Sequence, residues 1–107
     1  MKKYKVEWAI AASTDLLNII DYISEDSTNA AVSILEKIRS KCETLNQTPE
    51  RGRVVPELKE FGIYSYNELM VKPWRIIYRK SGSKVYVLAV IDSRRNIEDI
   101  LIARFLE

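Results

Sequence analysis

Trp74-Arg75-Ile76-Ile77-Tyr78-Arg79-Lys80, then Ser81-Gly82-Ser83, then Lys84-Val85-Tyr86-Val87-Leu88-Ala89-Val90-Ile91: the reading of this stretch decides the fold. Two β-branched, aromatic-rich runs flank a short Gly-containing break, which is the signature of a β-hairpin. The second run is almost wholly apolar after Lys84, as expected of a strand covered on both faces. Upstream, Tyr66 to Lys72 reads as a third strand that stops at Pro73, a residue with no N–H to give a ladder. The three strands form an antiparallel meander.

Further from the meander the period changes. Tyr4, Val6 and Trp8 alternate with Lys3, Lys5 and Glu7, which predicts a short N-terminal strand. Ser13, Thr14 and Asp15 supply oxygens suited to a helix start. Leu16, Ile19, Ile20 and Ile23 then recur at helical spacing. A polar break at Ser24–Asn29 precedes a second stripe of Ala31, Ile34, Leu35, Ile38, Cys42 and Leu45. Two amphipathic helices with a tight connection make an αα-hairpin that needs a sheet to cover. Asn46 to Val55 is irregular, punctuated by Pro49, Gly52 and Pro56. Asn96 to Leu106 predicts a final helix capped by Asn96. The expected order is β-α-α-β-β-β-α, an α+β fold: an N-terminal strand and α-hairpin packed on a mainly antiparallel four-stranded sheet, with a C-terminal helix. All 107 residues are expected to form one domain.

Composition narrows the chemistry. The chain has no histidine, which excludes His-ligated zinc and Ser-His-Asp or Cys-His catalysis. Three glycines cannot build a Gly-rich phosphate loop. No metal or cofactor is expected, and no apolar run approaches the ~20 residues of a membrane span. Cys42, alone and on an apolar helix position, is expected to be a buried, unreactive thiol. The basic start resembles the head of a signal peptide, but Glu7 and Asp15 interrupt the stretch that would have to be uncharged and apolar, so the cytoplasm is the expected compartment.

Charge is distributed unevenly. Between Leu69 and Arg95 stand Lys72, Arg75, Arg79, Lys80, Lys84, Arg94 and Arg95, seven cations against Asp92 alone. That window carries +6, leaving −4 for the rest of a chain whose total is +2. Such a split is a footprint for an anionic partner, or else a solvated sheet face whose lysines protect its edges.

Four segments together resemble the RelE/ParE toxin superfamily of bacterial type II toxin–antitoxin (plasmid stabilisation) modules. They are Asp15-Leu16-Leu17-Asn18-Ile19-Ile20-Asp21-Tyr22-Ile23, the loop Thr48-Pro49-Glu50-Arg51-Gly52-Arg53-Val54-Val55-Pro56-Glu57-Leu58, the strand Trp74-Arg75-Ile76-Ile77-Tyr78-Arg79, and Val87–Ile91 followed by Ser93-Arg94-Arg95-Asn96. The matches are collinear, span almost the whole chain, and sit closest to the ParE branch. The resemblance implies a small toxin neutralised by a cognate, ParD-like antitoxin. In the ParE branch the implied target is DNA gyrase; in the RelE branch it is the ribosome, where the protein cleaves mRNA.

The two mechanisms make different demands. A metal-free ribonuclease needs a general base, a general acid and fixed cations. The cations are present: strand alternation places Arg75 and Arg79 on one sheet face, and Lys72 with the Arg94-Arg95 corner is expected to converge on the same concavity. If the chain is a nuclease, Lys72, Arg75, Arg95 and Glu68 are its candidates, with Tyr64, Tyr66 or Tyr78 as acid. Against this, Glu68 reads as a solvated strand residue and Tyr78 as core. Asp92 stands where both branches often carry a histidine, and its arginine neighbours should keep it ionised and unfit to donate a proton. Asp92 weakens the nuclease reading more than it supports the other. The expected function is therefore a ParE-like inhibitor of DNA gyrase with no chemistry of its own, the alternative being a RelE-like, ribosome-dependent mRNA endonuclease. A passive nucleic-acid binder that stacks bases on Trp74 or Tyr86 ranks last. Target-contact candidates are Lys72, Arg75, Arg79, Asp92, Arg94 and Arg95. Antitoxin contact is expected along the helical hairpin, the sheet edge and the C-terminal helix through Ile100 and Phe105, unless those two close the core.

Overall fold

The computed structural model describes residues 3–106. The hairpin forms as its pattern demands: β4 (Trp74–Ser81) and β5 (Lys84–Asp92) pair antiparallel, joined at Gly82, whose φ of 60° suits the turn. β3 (Asn67–Val71) pairs on the other side of β4. The N-terminal β1 (Lys5–Trp8) lies parallel to β5. The sheet has five strands rather than four, in the order β1-β5-β4-β3-β2. The additional strand, β2, is the two-residue Arg53–Val54, paired antiparallel with β3. Two residues between Gly52 and Pro56 leave no periodicity to read.

One face of the sheet carries the αα-hairpin, α1 (Ile10–Ser24) and α2 (Thr28–Glu43). Ala12, Leu16, Ile38 and Cys42 bury themselves against Trp74, Ile76, Tyr78 and Val87. Burial pushes the Cys42 thiol up to about 12, so it stays protonated. The opposite face is covered by the short α3 (Pro56–Lys59), α4 (Ile97–Leu101) and a π-helical segment, Ile102–Leu106, that continues α4. There Leu58, Ile97 and Leu101 pack on Ile77, Ala89 and Ile91. No helix among the described residues is long and apolar enough to cross a membrane.

Helices on both sides of the sheet bury both faces of β5, and a bulge changes which residues each side covers. Ile77 stands opposite Ala89 while Tyr78 stands opposite Val87, so Leu88 has no counterpart on β4. The extra residue reverses the alternation. Val85 and Val87 point to the helical hairpin, whereas Ala89 and Ile91, of the same parity, point to α4.

The capping residues are partly as read. Ser27 caps α2 by accepting from the Ala30 amide at 3.1 Å, and Asn96 caps α4 through the Asp99 amide at 3.3 Å. α1, however, begins at Ile10 after an uncapped Ala9, not at Ser13–Asp15. Asp15 instead turns to the sheet, which matters for the site below.

Candidate functional site

The basic window divides between two sites of opposite character. The first is built by strand register. Arg53 on β2 stands opposite Glu68 on β3, and Glu68 lies diagonal to Arg75 on β4. Three charged side chains thus line up across one sheet face. α3 completes the row: Pro56 opens it, and Glu57 in its first turn reaches over the strands. Arg75 donates from Nη1 and Nη2 to the two oxygens of Glu57 at 2.8 and 2.7 Å, and from Nε to Glu68 Oε1 at 2.7 Å. Arg53 Nε donates to the other Glu68 oxygen at 2.6 Å. The Arg75 and Glu68 side chains are 6% and 3% exposed, so water cannot replace these bonds. Hydrogen bonding from Arg75 holds the Glu57 carboxyl below the ordinary range, and Glu57 in turn raises the guanidinium above it. Two cations and two carboxylates sum to zero; this row offers no charge to a phosphate.

Next to it the Pro-Glu-Arg-Gly loop is pinned from below. The buried Tyr78 hydroxyl donates to the Pro49 carbonyl at 2.8 Å and accepts from the Gly52 amide at 2.9 Å. Burial raises the phenol's pKa, so it remains a donor. Gly52 is required by closeness: a Cβ there would sit 2.3 Å from the Glu68 carbonyl oxygen. Asn67 Nδ2 also donates to the Gly52 carbonyl at 3.1 Å.

The second site lies at the end of β5, on the face of the helical hairpin. Ser93 donates to the Pro73 carbonyl at 2.7 Å, joining the end of β5 to the turn that contains the cis Lys72-Pro73 bond. Asp92 accepts from Arg94 at its backbone amide, 2.9 Å, and through a forked guanidinium contact at 2.9 and 2.6 Å. Those bonds hold the Asp92 carboxyl down at about 2. The corner borders a cleft of about 640 Å³ between α1 and β5, floored by Ile19, Ile23 and Trp74 and rimmed by Asn18, Tyr22 and Arg95. Asp15, displaced from its expected capping role, forms one wall. Its Oδ2 accepts from the Val90 amide at 3.0 Å and its Oδ1 from Arg104 Nη2 at 2.5 Å.

The sequence-derived candidates therefore separate. Arg75 and Arg79 do share a face, but Arg75 is buried and paired, while Arg79 lies 6.0 Å above the Tyr66 ring. Five residues of strand, about 16 Å, separate Arg79 from the level of Trp74. The expected convergence of Arg75 and Arg79 with the Arg94-Arg95 corner does not occur, because the corner opens toward α1 and Arg75 faces α3. Glu68, read as a solvated strand residue, is buried inside the ion network. Tyr78 is core, and Tyr66 stacks at 4.9 Å on Phe105. Ile100 and Phe105 pack half-buried against the α4-side core. Of the seven cations in the window, Lys80 pairs with Glu50, Lys84 with Glu7, Arg75 with Glu57 and Glu68, and Arg94 with Asp92. Among the described residues of that window only Lys72, Arg79 and Arg95 have no carboxylate partner. Sequence reading missed Asp15, Glu57 and Arg104, whose partners lie 75, 18 and 89 residues away.

Residues 6–97 match the family described as the ParE toxin of the type II toxin-antitoxin system, parDE. The chain is 30% identical over 77 residues to Toxin ParE3 of Caulobacter vibrioides, covering 72% of this chain and 73% of that protein. Its fold is similar to a solved structure of the chromosomal ParDE TA system from P. aeruginosa: TM-score 0.69, 19% identity, 84% of this chain and 96% of that one. It is also similar to a chain of the RelBE2 toxin–antitoxin complex from Mycobacterium tuberculosis, with TM-score 0.56, 19% identity, and 86% and 93% covered.

Proposed function

The chain belongs to the ParE toxin family of type II toxin–antitoxin systems, and from that premise we propose that it is a cytoplasmic toxin that arrests growth by binding DNA gyrase and is silenced by a cognate antitoxin. The observation that carries the surface-contact reading is the occupation of Arg75 and Glu68. Cleaving RNA without a metal needs a base and a cation facing the scissile phosphate. Here the buried carboxylate and the buried guanidinium face each other. Tyr78, a candidate acid, spends its proton on Pro49. Asp92, ionised down to about pH 2, donates none. Contact with the target then falls to cations that are free to make it, Lys72 and Arg95 at the corner end of the sheet and Arg79 at the other, with Asp92 and Arg94 shaping the corner.

Purified toxin added to a gyrase supercoiling reaction and to ribosomes programmed with mRNA tests the proposal. Loss of supercoiling with intact mRNA is expected. Codon-dependent mRNA cuts with gyrase unaffected would replace it with the RelE-like endonuclease.

A further inference from the structure

The pinned Pro-Glu-Arg-Gly loop carries one side chain still without a role. Tyr78 holds Pro49 and Gly52 on either side of Arg51, and the Arg51 amide donates to the Thr48 carbonyl at 3.1 Å. Glu50, the acid beside it, is drawn away to Lys80 at 3.2 Å. Arg51 is thus exposed, fixed at its backbone and, among the described residues, without a carboxylate partner. Together with α2 it borders an open cleft of about 570 Å³. The α2 wall is one stripe of that helix. Ser33, Lys37, Ser40 and Lys41 recur at steps that put them on one face, over about 12 Å of helix axis. Among the described residues neither lysine has a carboxylate partner and neither serine hydroxyl a hydrogen bond. Glu36 is the one acid on the lining, set against three cations. The carbonyls at a helix C-terminus ordinarily repel an anion. Here two of them are taken: the Lys41 carbonyl accepts from the Thr44 hydroxyl at 2.6 Å, and the Thr44 carbonyl from the Thr48 amide and hydroxyl at 3.1 and 2.9 Å.

We propose that this cleft is a second contact surface, a sequence-independent site for the phosphate backbone of duplex DNA. Lysine, arginine and serine side chains are the donors that phosphate oxygens take from proteins. About 12 Å of axis is the length over which one strand of B-DNA carries three to four phosphates, which matches Lys37, Lys41 and Arg51. No aromatic ring lines the cleft, so it lacks the stacking platform of single-strand sites and suits a duplex whose bases stay paired. Arg51 arrives from a loop that Tyr78 has already fixed, so binding orders a side chain and not a segment of backbone. The site goes beyond the gyrase reading and does not rest on it.

Full-length toxin titrated against a fluorescein-labelled duplex of about 20 base pairs and random sequence, followed by anisotropy, tests the proposal without gyrase, so the two readings fail separately. Three phosphate contacts predict a slope of log K against log salt of about −2.7, or about fortyfold weaker binding at 200 mM than at 50 mM. Lys37→Gln, Lys41→Gln and Arg51→Gln, each with the wild-type urea midpoint, should each reduce that slope by about 0.9, and the triple variant should abolish binding. Arg39→Gln removes the same charge from the same helix, but on the face that lines the α1–α2 groove, and should leave the slope unchanged. Absence of binding at 50 mM salt, a slope kept in the three variants, or an equal loss in Arg39→Gln overturns the site. So does tighter binding of a single strand or of poly-glutamate than of the duplex, the last assigning the cleft to an acidic protein surface.

Discussion

Arg75 with Glu57 and Glu68, and Arg94 with Asp92, are the same chemistry in two settings. Both arginines make forked contacts with carboxylates at hydrogen-bond distance. Arg75 is 6% exposed and Arg94 is 74% exposed. Water competes for the second pair and not for the first. The buried row is therefore architecture: it joins α3 to β2, β3 and β4 and cannot be opened without stranding a charge. The exposed corner is available surface, and its ion pair shapes a carboxylate rather than holding a fold. In a chain whose cations looked interchangeable along the sequence, burial decides which of them can meet a partner.

The contrast breaks most sharply at Arg75. Arg75→Ala leaves Glu68 buried with only Arg53 to answer it, and breaking one side of a buried pair costs about 3–5 kcal/mol. Urea denaturation should show a loss of that size, and Arg75→Lys should rescue little because an ammonium cannot fork. If Arg75→Ala left the urea midpoint unmoved, the row would not be structural. Gly52→Ala comes next. Its methyl would meet the Glu68 carbonyl at 2.3 Å, and relieving a clash with backbone costs about 1–3 kcal/mol. Tyr78→Phe should fall in a similar range, about 1–3 kcal/mol, because the Pro49 carbonyl and the Gly52 amide lose their partner. Arg94→Ala should change stability by less than about 1 kcal/mol, as exposed pairs do, while the Asp92 carboxyl moves up toward its ordinary range, the backbone amide of residue 94 and the Arg95 charge still holding it partly down.

Acidity sharpens the same comparison. The Glu57 carboxyl is lowered on folding, so its contribution is fully present above its unfolded pKa and is lost as pH falls through the folded value. Stability of the wild type should therefore drop on acidification below about pH 4.3, the ordinary glutamate value. In Arg75→Ala, which removes the main cause of the lowering, Glu57's share of that drop should shrink. Asp92, held at about 2, follows the same sign with a lower end point, but from the surface. Arg94→Ala should move its NMR titration upward and flatten the acid-unfolding curve only slightly, because the pair is solvent-exposed and screened.

Much of the fold is legible in the sequence alone. Val85 through Ile91 announces a strand buried on both sides, and the stripes from Leu16 to Ile23 and Ala31 to Leu45 announce the helical hairpin, because repeated burial leaves a period. What escapes has no period. Arg53–Val54 is too short to alternate. The Leu88 bulge reverses the facing of β5 with no glycine or proline to mark it. Ser13-Thr14-Asp15 has the composition of a cap, yet Asp15 is committed to Val90 and Arg104 across the fold. Glu68 looks like any strand glutamate because its two arginines are 15 and 7 residues away, and an ion network assembled from three strands and a helix has no local signature.

A toxin that acts by surface contact, with Arg75 and Glu68 reserved for its fold, must inhibit stoichiometrically. Titrating purified toxin into a fixed amount of gyrase and following supercoiling reads this directly. Inhibition should saturate near equal molar amounts and be relieved by Arg95→Ala, a variant that keeps the wild-type urea midpoint. Gyrase left fully active at molar excess of toxin, with catalytic amounts cutting mRNA on ribosomes, would contradict it.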